Sequence, residues 1–409
     1  MKQLSKKLLL LLCAVVSCGA AWAQETVAWV KVTDYSNLST NDTYVIVGNG
    51  MRSNISGTTG TVFCSLKNNE STSNKNLPIG KKIAQYDGQN VYTFNDYIIN
   101  TFDENDTWKI ETTGTSGNYF IKSTKNSNLY LQNENAPYSY IKGKPSSTNL
   151  NRAIWKIHYE ATNSSGEKVT GLYNVGCSRV LALFYSSSST NWPCYGPSGY
   201  DDFEGAEVVL YRKVTSVPVT ISSARYASFC SSCPLNFSGT DITVYKAKGT
   251  ETAVTLTKVE DGIVPANKGV VLYSADATIQ NVPVTTLTGS TDWSDNELIG
   301  ITERTKISVN GAEGKTNYIL SKEDDVVGFY LAASGEGAYL AANRAYLSTS
   351  ATQQLVPQYL GFEEEITGIQ SLTPTLSQGE GDCYDLSGRR VVQPTKGMYI
   401  INGRKVYVK

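Results

Sequence analysis

The chain has 409 residues, with 36 Lys+Arg, 37 Asp+Glu and a single His. Residues 1–23 hold three Lys and no acid, so the remainder carries 33 basic and 37 acidic side chains. This balance excludes a nucleic-acid binder that works by neutralising phosphates, and one His excludes a multi-His metal site. Tyrosine outnumbers phenylalanine, 26 to 10, as is typical of extracellular β proteins. The sequence predicts no cofactor, and its length allows two or three domains.

The first 23 residues have the three parts of a signal peptide. Lysines come first, an apolar run follows over 8–16, and Ala21-Trp22-Ala23 forms a small-x-small cleavage site. The apolar run is much shorter than the roughly 20 residues of a membrane-spanning helix, and no later segment approaches that length. We expect export with cleavage after Ala23. The alternative is a lipobox over 15–18, in which Cys18 becomes the lipidated N-terminus.

Six cysteines remain after cleavage, and an even number in an oxidising compartment favours disulfides. Cys177 and Cys194 lie in one segment and form the first predicted pair. Cys230 and Cys233 have the spacing of a redox or zinc motif. A redox site would need a helix after the first cysteine, whereas the surrounding sequence looks all-β. A zinc site would need two further ligands, which the sequence does not visibly offer. A local disulfide, or two free thiols at a strand end, is therefore the better interpretation. Cys64 and Cys383 have no obvious partner.

A pattern repeats three times between about residue 26 and residue 214. Each lobe has a β-alternating opening strand, a polar turn, a second short strand, a variable loop and a closing strand with a bulky aromatic residue. A single lobe cannot bury its apolar face alone, so three lobes are expected to close a barrel, with Trp108, Trp155 and Tyr211 as equivalent core anchors. The opening and closing segments are Thr43-Tyr-Val-Ile-Val-Gly and Asp106-Thr-Trp108-Lys-Ile, Asn118-Tyr-Phe-Ile-Lys-Ser and Ala153-Ile-Trp155-Lys-Ile, and Gly171-Leu-Tyr-Asn-Val and Glu207-Val-Val-Leu-Tyr211.

This arrangement resembles the ricin-type β-trefoil, whose lobes open with Y-x-I and close with Q-x-W. The chain departs from that pattern because Asp106, Ala153 and Glu207 stand where the family has Gln, and because the third aromatic residue is Tyr. The resemblance implies a carbohydrate-binding module with shallow sites between the second and third strands of a lobe. Such sites need an aromatic face for a sugar ring and Asp or Asn side chains for its hydroxyls.

Two loops offer suitable ligand-binding residues. The other interpretation is that these aromatic residues cover the open end of the barrel or lie under a long loop. His158, on the strand of Trp155, is expected to be structural. The candidates are Trp192, Tyr195, Tyr200 and Asp201 in lobe three, and Asn133, Tyr138 and Tyr140 in lobe two.

From residue 217 a second set of alternating strands begins, with turn signals every 8 to 12 residues. This spacing, without helical periodicity, predicts a β-sandwich. Several phrases, Val264-Pro-Ala-Asn-Lys-Gly among them, resemble a module recurrent near the C-terminus of secreted proteins from Bacteroides- and Prevotella-like bacteria. That resemblance implies an accessory or spacing role. The predicted strands cover 242–247, 254–259, 269–273, 318–321, 328–332 and 344–347.

The last 26 residues reverse the charge of the acidic linker that precedes them, since they hold six basic residues and one acid. Tyr384-Asp-Leu-Ser-Gly-Arg-Arg-Val-Val and Lys396-Gly-Met-Tyr-Ile-Ile predict short strands joined by hairpin turns. The segment resembles the C-terminal sorting domain of the type IX secretion system of Bacteroidetes, which implies an outer-membrane translocon as partner. The alternative is that these strands simply end the sandwich. The motif residues are Asp385, Gly388, Arg389, Gly397, Tyr399 and Lys405.

The sequence therefore predicts an all-β protein, with a three-lobed β-trefoil-like barrel followed by a β-sandwich and a short C-terminal β tail. We expect a non-catalytic secreted or cell-surface protein that binds a glycan or host ligand. The alternatives are a structural surface protein without a ligand and a secreted glycosidase-like hydrolase, for which Asp201, Asp202 and Glu204 are the clustered acids. The predicted segments are 1–23 (signal), 24–215 (trefoil), 216–368 (sandwich), 369–383 (linker) and 384–409 (tail).

Overall fold

The chain is all-β in the computed structural model, and it divides into two compact units, Met1–Glu363 and Glu364–Lys409. No helix in the described part of the chain is both long and apolar enough to span a membrane. The signal segment lies outside the described residues. The structure describes residues 26–36, 38–52, 59–70, 76–134, 139–162, 166, 168–186, 189–196, 206–333, 338–350, 356–363, 383–385, 391, 397–401 and 404–408.

Strands follow one another through the first half of the chain, with a 3₁₀ segment at Ser147–Ala153. In chain order they are β1 Ala28–Lys31, β2 Tyr44–Arg52, β3 Gly60–Leu66, β4 Leu77–Asp87, β5 Tyr97–Ile99, β6 Thr107–Thr112, β7 Asn118–Ser123, β8 Leu129–Asn133, β9 Ser139–Gly143, β10 Ile154–Thr162, β11 Lys168–Asn174, β12 Arg179–Leu181, β13 Phe184–Tyr185, β14 Thr190–Trp192, β15 Cys194–Tyr195 and β16 Glu207–Val214.

Six of these strands close a barrel in the order β2-β6-β7-β10-β11-β16 and back to β2. The junction between β11 and β16 carries a hydrogen bond from Thr170 N–H to the Ala206 carbonyl, 2.9 Å long. Each lobe also has one antiparallel strand pair that serves as its hairpin, β3–β4, β8–β9 or β12–β15; in the third pair, β13 and β14 lie between the two strands in sequence. One hairpin per pair of barrel strands, repeated three times, is β-trefoil topology, so the predicted fold is confirmed.

Two buried tryptophans repeat the same contact in the first two lobes. Trp108 lies opposite Tyr44, and Trp155 lies opposite Tyr119. Each indole N–H donates to a carbonyl at the second strand of its own lobe, Leu66 at 3.1 Å and Leu131 at 2.8 Å. A buried indole needs such an acceptor. The two residues therefore join a closing strand to the neighbouring hairpin while they fill the barrel.

Tyr211 is not the third equivalent anchor, and this part of the prediction was wrong. Val208 and Leu210 contribute to the barrel core, so alternation along β16 directs Tyr211 to the other face. There it packs with Trp29 and Val47 in a second apolar layer outside the barrel. Its hydroxyl donates to the Asn95 carbonyl at 2.7 Å.

Asp106, two residues before Trp108, anchors the first lobe. Its carboxylate accepts a 2.5 Å hydrogen bond from the Ser65 hydroxyl and a 3.0 Å bond from the Lys81 N–H. The residue is 5% exposed, so this desolvated carboxylate depends on those donors. Gly80 passes so close that a Cβ atom there would meet the carboxylate oxygen and the Ser65 hydroxyl.

The second half of the chain contains the six strands predicted there, with bounds that shift by no more than a few residues. A 3₁₀ segment lies at Ala312–Gly314. The strands are β17 Ser216–Ile221, β18 Tyr226–Phe229, β19 Leu235–Asn236, β20 Thr243–Gly249, β21 Ala253–Lys258, β22 Ile263–Val264, β23 Val270–Tyr273, β24 Thr278–Pro283, β25 Leu298–Ile301, β26 Thr305–Ile307, β27 Thr316–Glu323, β28 Val326–Leu331, β29 Ala338–Leu340, β30 Arg344–Thr349 and β31 Tyr359–Phe362.

Nine of these strands form one sheet in the order β18-β23-β20-β21-β31-β28-β27-β30-β25. The pairing of β21 with β31 is parallel and the others are antiparallel. The sheet curls so that β18 and β20 approach β30. The enclosed core includes Val271, Tyr318, Phe329 and Leu347. This single curled sheet, with its two parts facing each other, corresponds to the β-sandwich predicted after residue 216.

The two halves of Met1–Glu363 share an apolar core. Ala28 of β1 packs with Val219, Leu235 and Val282 of the second half, and Val214 lies against the same cluster. Because this core joins β1 and β16 to the strands after residue 216, the trefoil and the curled sheet belong to one compact unit. The boundaries proposed at residues 215 and 368 stay predictions.

The second unit contains a three-stranded antiparallel sheet. Its strands are β32 Cys383–Asp385, β33 Gly397–Ile401 and β34 Arg404–Val408, paired in chain order. Asp385 pairs with Tyr399, and Lys405 pairs with Ile400. The predicted short strands are thus present, while Gly388 and Arg389 lie outside the described residues.

The predicted disulfides are absent from the described residues, where Cys177, Cys194, Cys230 and Cys233 are thiols, as is Cys64. Two of these sulfur atoms instead contact oxygen atoms of neighbouring residues. The Cys177 thiol donates to the Asn133 carbonyl at 3.3 Å, and the Cys233 sulfur lies 3.5 Å from the Ser231 hydroxyl. Burial raises the pKa of Cys194 and of Cys64 to about 12, so both side chains are neutral in the fold.

We predict that Gly80→Ala lowers the free energy of unfolding by about 1–3 kcal/mol, because the added methyl group overpacks the Asp106–Ser65 contact. Urea unfolding followed by fluorescence measures the change. Gly143→Ala is the matched control, since a Cβ atom at that strand position meets nothing within 4 Å. Equal stability of the two variants would contradict the assigned role of Asp106.

We also predict that, at about pH 8, iodoacetamide modifies the half-buried Cys177 much faster than Cys194, Cys230 or Cys64. The buried thiols should react only after unfolding, or as the pH rises towards the raised pKa values of about 11 for Cys230 and about 12 for the other two. Peptide mass spectrometry of the folded protein reads out each site. A Cys177–Cys194 disulfide-linked peptide would overturn the assignment of these residues as thiols.

Candidate functional site

Trp192 does not form the predicted surface for a sugar ring. Its side chain is 0% exposed, and its indole N–H donates to the Ser65 carbonyl at 3.3 Å. The segment that the sequence suggested as a loop is instead strand β14, which pairs with β4 through Trp192 and Leu77. This long-range pairing places the ring inside the barrel, against Gly48. Trp192 is therefore a core residue.

The other lobe-three candidates do not complete a visible site. Tyr195 is half-buried and pairs with Val180 in the hairpin β12–β15. Tyr200 and Asp201 lie outside the described residues, as do Asp202 and Glu204 of the acidic cluster. The described part of lobe three thus contributes packing rather than an open aromatic surface.

The lobe-two candidates are also largely covered. Asn133 is 0% exposed, and its carbonyl accepts the Cys177 thiol. Tyr140 is buried beneath Lys142, whose ammonium nitrogen lies 4.3 Å from the ring centroid. Tyr138 lies outside the described residues. Asn133 therefore supports the hairpin from within, and solvent does not reach it.

His158 has a packing role, as expected. Its ring stacks on Tyr35 with centroids 4.4 Å apart and planes within 4°, and Nδ1 lies 3.1 Å from the Val208 carbonyl. The residue has φ +56° at the point where the register between β10 and β11 shifts. The bulge thus turns the ring onto Tyr35.

A polar cleft of about 620 Å³ lies where the trefoil meets the second half of the compact unit. Asp96 forms an ion pair with Lys31, with 3.3 Å between the carboxylate oxygen and Nζ, and Asp42 forms one with Arg212, with 3.5 Å between the carboxylate oxygen and Nη1. These two carboxylates each face a cation. Among the described residues, no group of three or more acids, His or Cys is placed to hold a metal ion.

A second groove, of about 510 Å³, has the composition of a ligand site. We call it the aromatic groove. Its walls combine apolar side chains with several threonine hydroxyls, the mixture typical of small-molecule sites. Tyr97 and Trp293 are half-buried, and Leu287 is 60% exposed at the rim. The lining includes Tyr97, Ile99, Pro265, Leu287, Trp293, and Thr285, Thr286, Thr288 and Thr291.

Strand pairing positions one wall of the aromatic groove. Strand β5 pairs with β1, with Tyr97 opposite Val30 and Ile99 opposite Ala28. Because side chains alternate along a strand, Tyr97 and Ile99 lie on the side of the shared core, while Ile98 packs into the outer layer of the trefoil. The trefoil thus supplies an aromatic residue to the boundary with the second half.

Asp261 positions the opposite wall. Its carboxylate accepts hydrogen bonds from the Ser290 N–H at 2.5 Å, the Ser290 hydroxyl at 3.0 Å and the Thr291 hydroxyl at 3.4 Å. Burial raises the pKa of Asp261 and hydrogen bonds from Ile263, Ser290 and Thr291 lower it, with a net downward shift. The ionised carboxylate therefore holds the segment that ends in Trp293 against the turn before β22.

Neither aromatic residue of this groove was among the sequence candidates. Trp293 stands in the run Gly289-Ser-Thr-Asp-Trp-Ser-Asp, an aromatic residue among turn-forming residues, and this is the same local signal that suggested Trp192. Tyr97 carried no such signal, because only the pairing of β5 with β1 shows which side it faces.

Comparison with known proteins adds little to the fold assignment that the strand pairing supports. No protein-family profile matches the chain, and no curated protein matches it significantly. Among solved structures, the chain is similar to one titled "BEL beta-trefoil apo crystal form 3". The alignment has 14% identity, covers 44% of this chain and 100% of that one, and has a TM-score of 0.23. A TM-score this low does not establish a shared fold, so the trefoil assignment rests on the barrel and hairpins described above.

Proposed function

We propose that this chain is a non-catalytic exported protein that binds a carbohydrate in the aromatic groove. The observation that carries the proposal is the convergence of Tyr97 and Trp293, from the two halves of one compact unit, on a single open groove. Aromatic rings provide rigid apolar faces for the C–H surface of a sugar ring. The exposed Thr286 and Thr288 beside them supply hydroxyl donors and acceptors for sugar hydroxyls.

Binding fits the described residues better than hydrolysis. A glycosidase of the common type needs two carboxylates on opposite sides of the bond that is broken. Three acids line the polar cleft. Asp42 and Asp96 are each paired with a basic side chain, and the exposed Glu303 by itself does not supply the required pair. Beside the aromatic groove, Asp261 is occupied by Ser290 and Thr291. The hydrolase alternative depends on Asp201, Asp202 and Glu204, which lie outside the described residues.

The proposed site also changes the role that we assign to the second half of the chain. As a spacer, it would hold the trefoil away from the cell envelope without touching a ligand. In our proposal it contributes Trp293, Leu287 and the threonines of the groove. The trefoil and the curled sheet would therefore act as one binding unit.

Export remains part of the proposal and rests on residues near the two ends of the sequence. The basic, apolar and small-x-small segments before Gln24 support secretion through a cleaved signal peptide. The basic tail after residue 384, with its three-stranded sheet, supports recognition by a secretion translocon. We place the protein outside the cytoplasm, secreted or at the cell surface.

We predict that a glycan array finds a ligand for the protein and that Trp293→Ala weakens its affinity by about 30-fold, as truncation of a central binding tryptophan does. Isothermal titration with the identified glycan measures the change. Tyr92→Ala is the matched control, because Tyr92 is 56% exposed and does not line the groove. Unchanged affinity of the Trp293 variant would refute this site, and the absence of any glycan ligand would refute the proposed function.

We further predict that protein recovered after export begins at Gln24, as measured by intact mass. A lipid-modified N-terminus at Cys18 would instead support the lipobox alternative. In a host with type IX secretion, removal of residues 384–409 should trap the protein in the periplasm, while the full chain reaches the medium or the surface. Equal export of both forms would contradict the sorting role of the tail.

A further inference from the structure

Three lysines and a tyrosine form a row across four neighbouring strands, from β6 at the end of lobe one to β9 in lobe two. In register, Lys109 of β6 lies opposite Lys122 of β7, Lys122 opposite Tyr130 of β8, and Tyr130 opposite Lys142 of β9. Directly opposed residues in antiparallel strands project on the same face. With strands 4.7–4.9 Å apart, the row is about 14 Å wide.

Buried aromatic rings lie beneath Lys122 and Lys142 of this row and hold their ammonium groups in place. The Lys122 nitrogen is 5.3 Å from the Tyr130 ring centroid. Lys144 adds a fourth cation, 5.3 Å from the Phe120 centroid and 5.8 Å from that of Tyr130. Such distances permit cation–π attraction, which orders long side chains that would otherwise lose rotamer entropy on binding a ligand. We call Lys109, Lys122, Lys142 and Lys144 the lysine face.

The positive charge of this face is only partly compensated. Glu111 pairs with Lys122 at 3.0 Å, and Glu134 pairs with Lys142 at 3.3 Å. The Lys109 ammonium group donates to the neutral Asn41 carbonyl. Residues 107–162 contain seven Lys or Arg and three acids, although the whole chain has a net charge of −1. The segment from β6 to β10 is thus a local concentration of positive charge.

We propose that the lysine face binds an acidic glycan, a polymer whose sugar units carry carboxylate or sulfate groups. The ordered ammonium groups complement separated anionic groups along a chain that crosses the four strands. Nucleic acid fits less well, because the ammonium groups cover the Tyr130 and Phe120 rings on which bases would stack. The row also lacks arginine, which grips phosphates in a bidentate manner.

This surface is separate from the aromatic groove and does not depend on it. The groove is lined from β5 and from the second half of the chain, whereas the lysine face lies on β6, the last strand of lobe one, and on the strands of lobe two that follow it. The two sites would let one protein hold a neutral sugar unit and an acidic polymer at different positions. Failure of one proposal therefore leaves the other intact, and Trp293→Ala should not change binding at the lysine face.

The test measures binding of dextran sulfate, with uncharged dextran of equal length as the comparison, to the full chain and to the double variant Lys142→Gln/Lys144→Gln. We expect binding of dextran sulfate alone. The double variant should bind it about tenfold more weakly, as the loss of two charge contacts at low salt implies. Added salt should reduce the difference in affinity for dextran sulfate between the full chain and the double variant, because salt screens the attraction between exposed charges.

Lys248→Gln/Lys268→Gln is the matched control, since it removes the same charge from exposed positions in the second half of the chain. Circular dichroism checks that the variants remain folded. Equal weakening in both double variants would overturn the proposal in favour of non-specific charge attraction. Equal binding of uncharged dextran, or tighter binding of duplex DNA than of dextran sulfate, would also overturn it.

Discussion

Closure of the six-stranded barrel is the constraint on which the rest of the structure depends. A lobe of four short strands has too little apolar surface to be stable alone, and it also leaves strand edges unpaired. Trp108 and Trp155 address both needs, because each fills the barrel and donates its indole N–H to a carbonyl of the adjacent hairpin. In the third lobe, Val208 and Leu210 occupy the core instead.

The third lobe makes up for its smaller closing residues with an inserted strand. Strand β14 leaves its own lobe and pairs with β4 of the first lobe, which places Trp192 in the core next to Ser65. Because Tyr211 of β16 faces away from the barrel core, the bulky ring in the core of this lobe comes from another segment. Because this pairing joins residues more than a hundred positions apart, it also ties the third lobe to the first and strengthens the closure of the barrel.

The outer layer of the trefoil connects its barrel to the proposed binding surfaces. Strand β1 bridges β16 and β5, so the apolar side of β5 reaches the core that the two halves share. Tyr97 arrives at the groove through this connection. The lysine face arises differently, from the register of the consecutive strands β6 to β9. One surface therefore depends on contact between halves, and the other depends on local strand pairing.

Local patterns determined the all-β class, the three lobes, the six strands predicted after residue 217 and the short strands of the tail, because alternation and turn residues act over a few positions. They did not determine which aromatic residues face solvent. Trp192 and Trp293 both stand among turn-forming residues, yet pairing of β14 with β4 buries the first, while Asp261 holds the second at a groove. The predicted core position of Tyr211 and the predicted disulfides were wrong for the same reason. Burial, partner choice and the sharing of a core between halves depend on contacts between distant residues, and only the tertiary structure decides them.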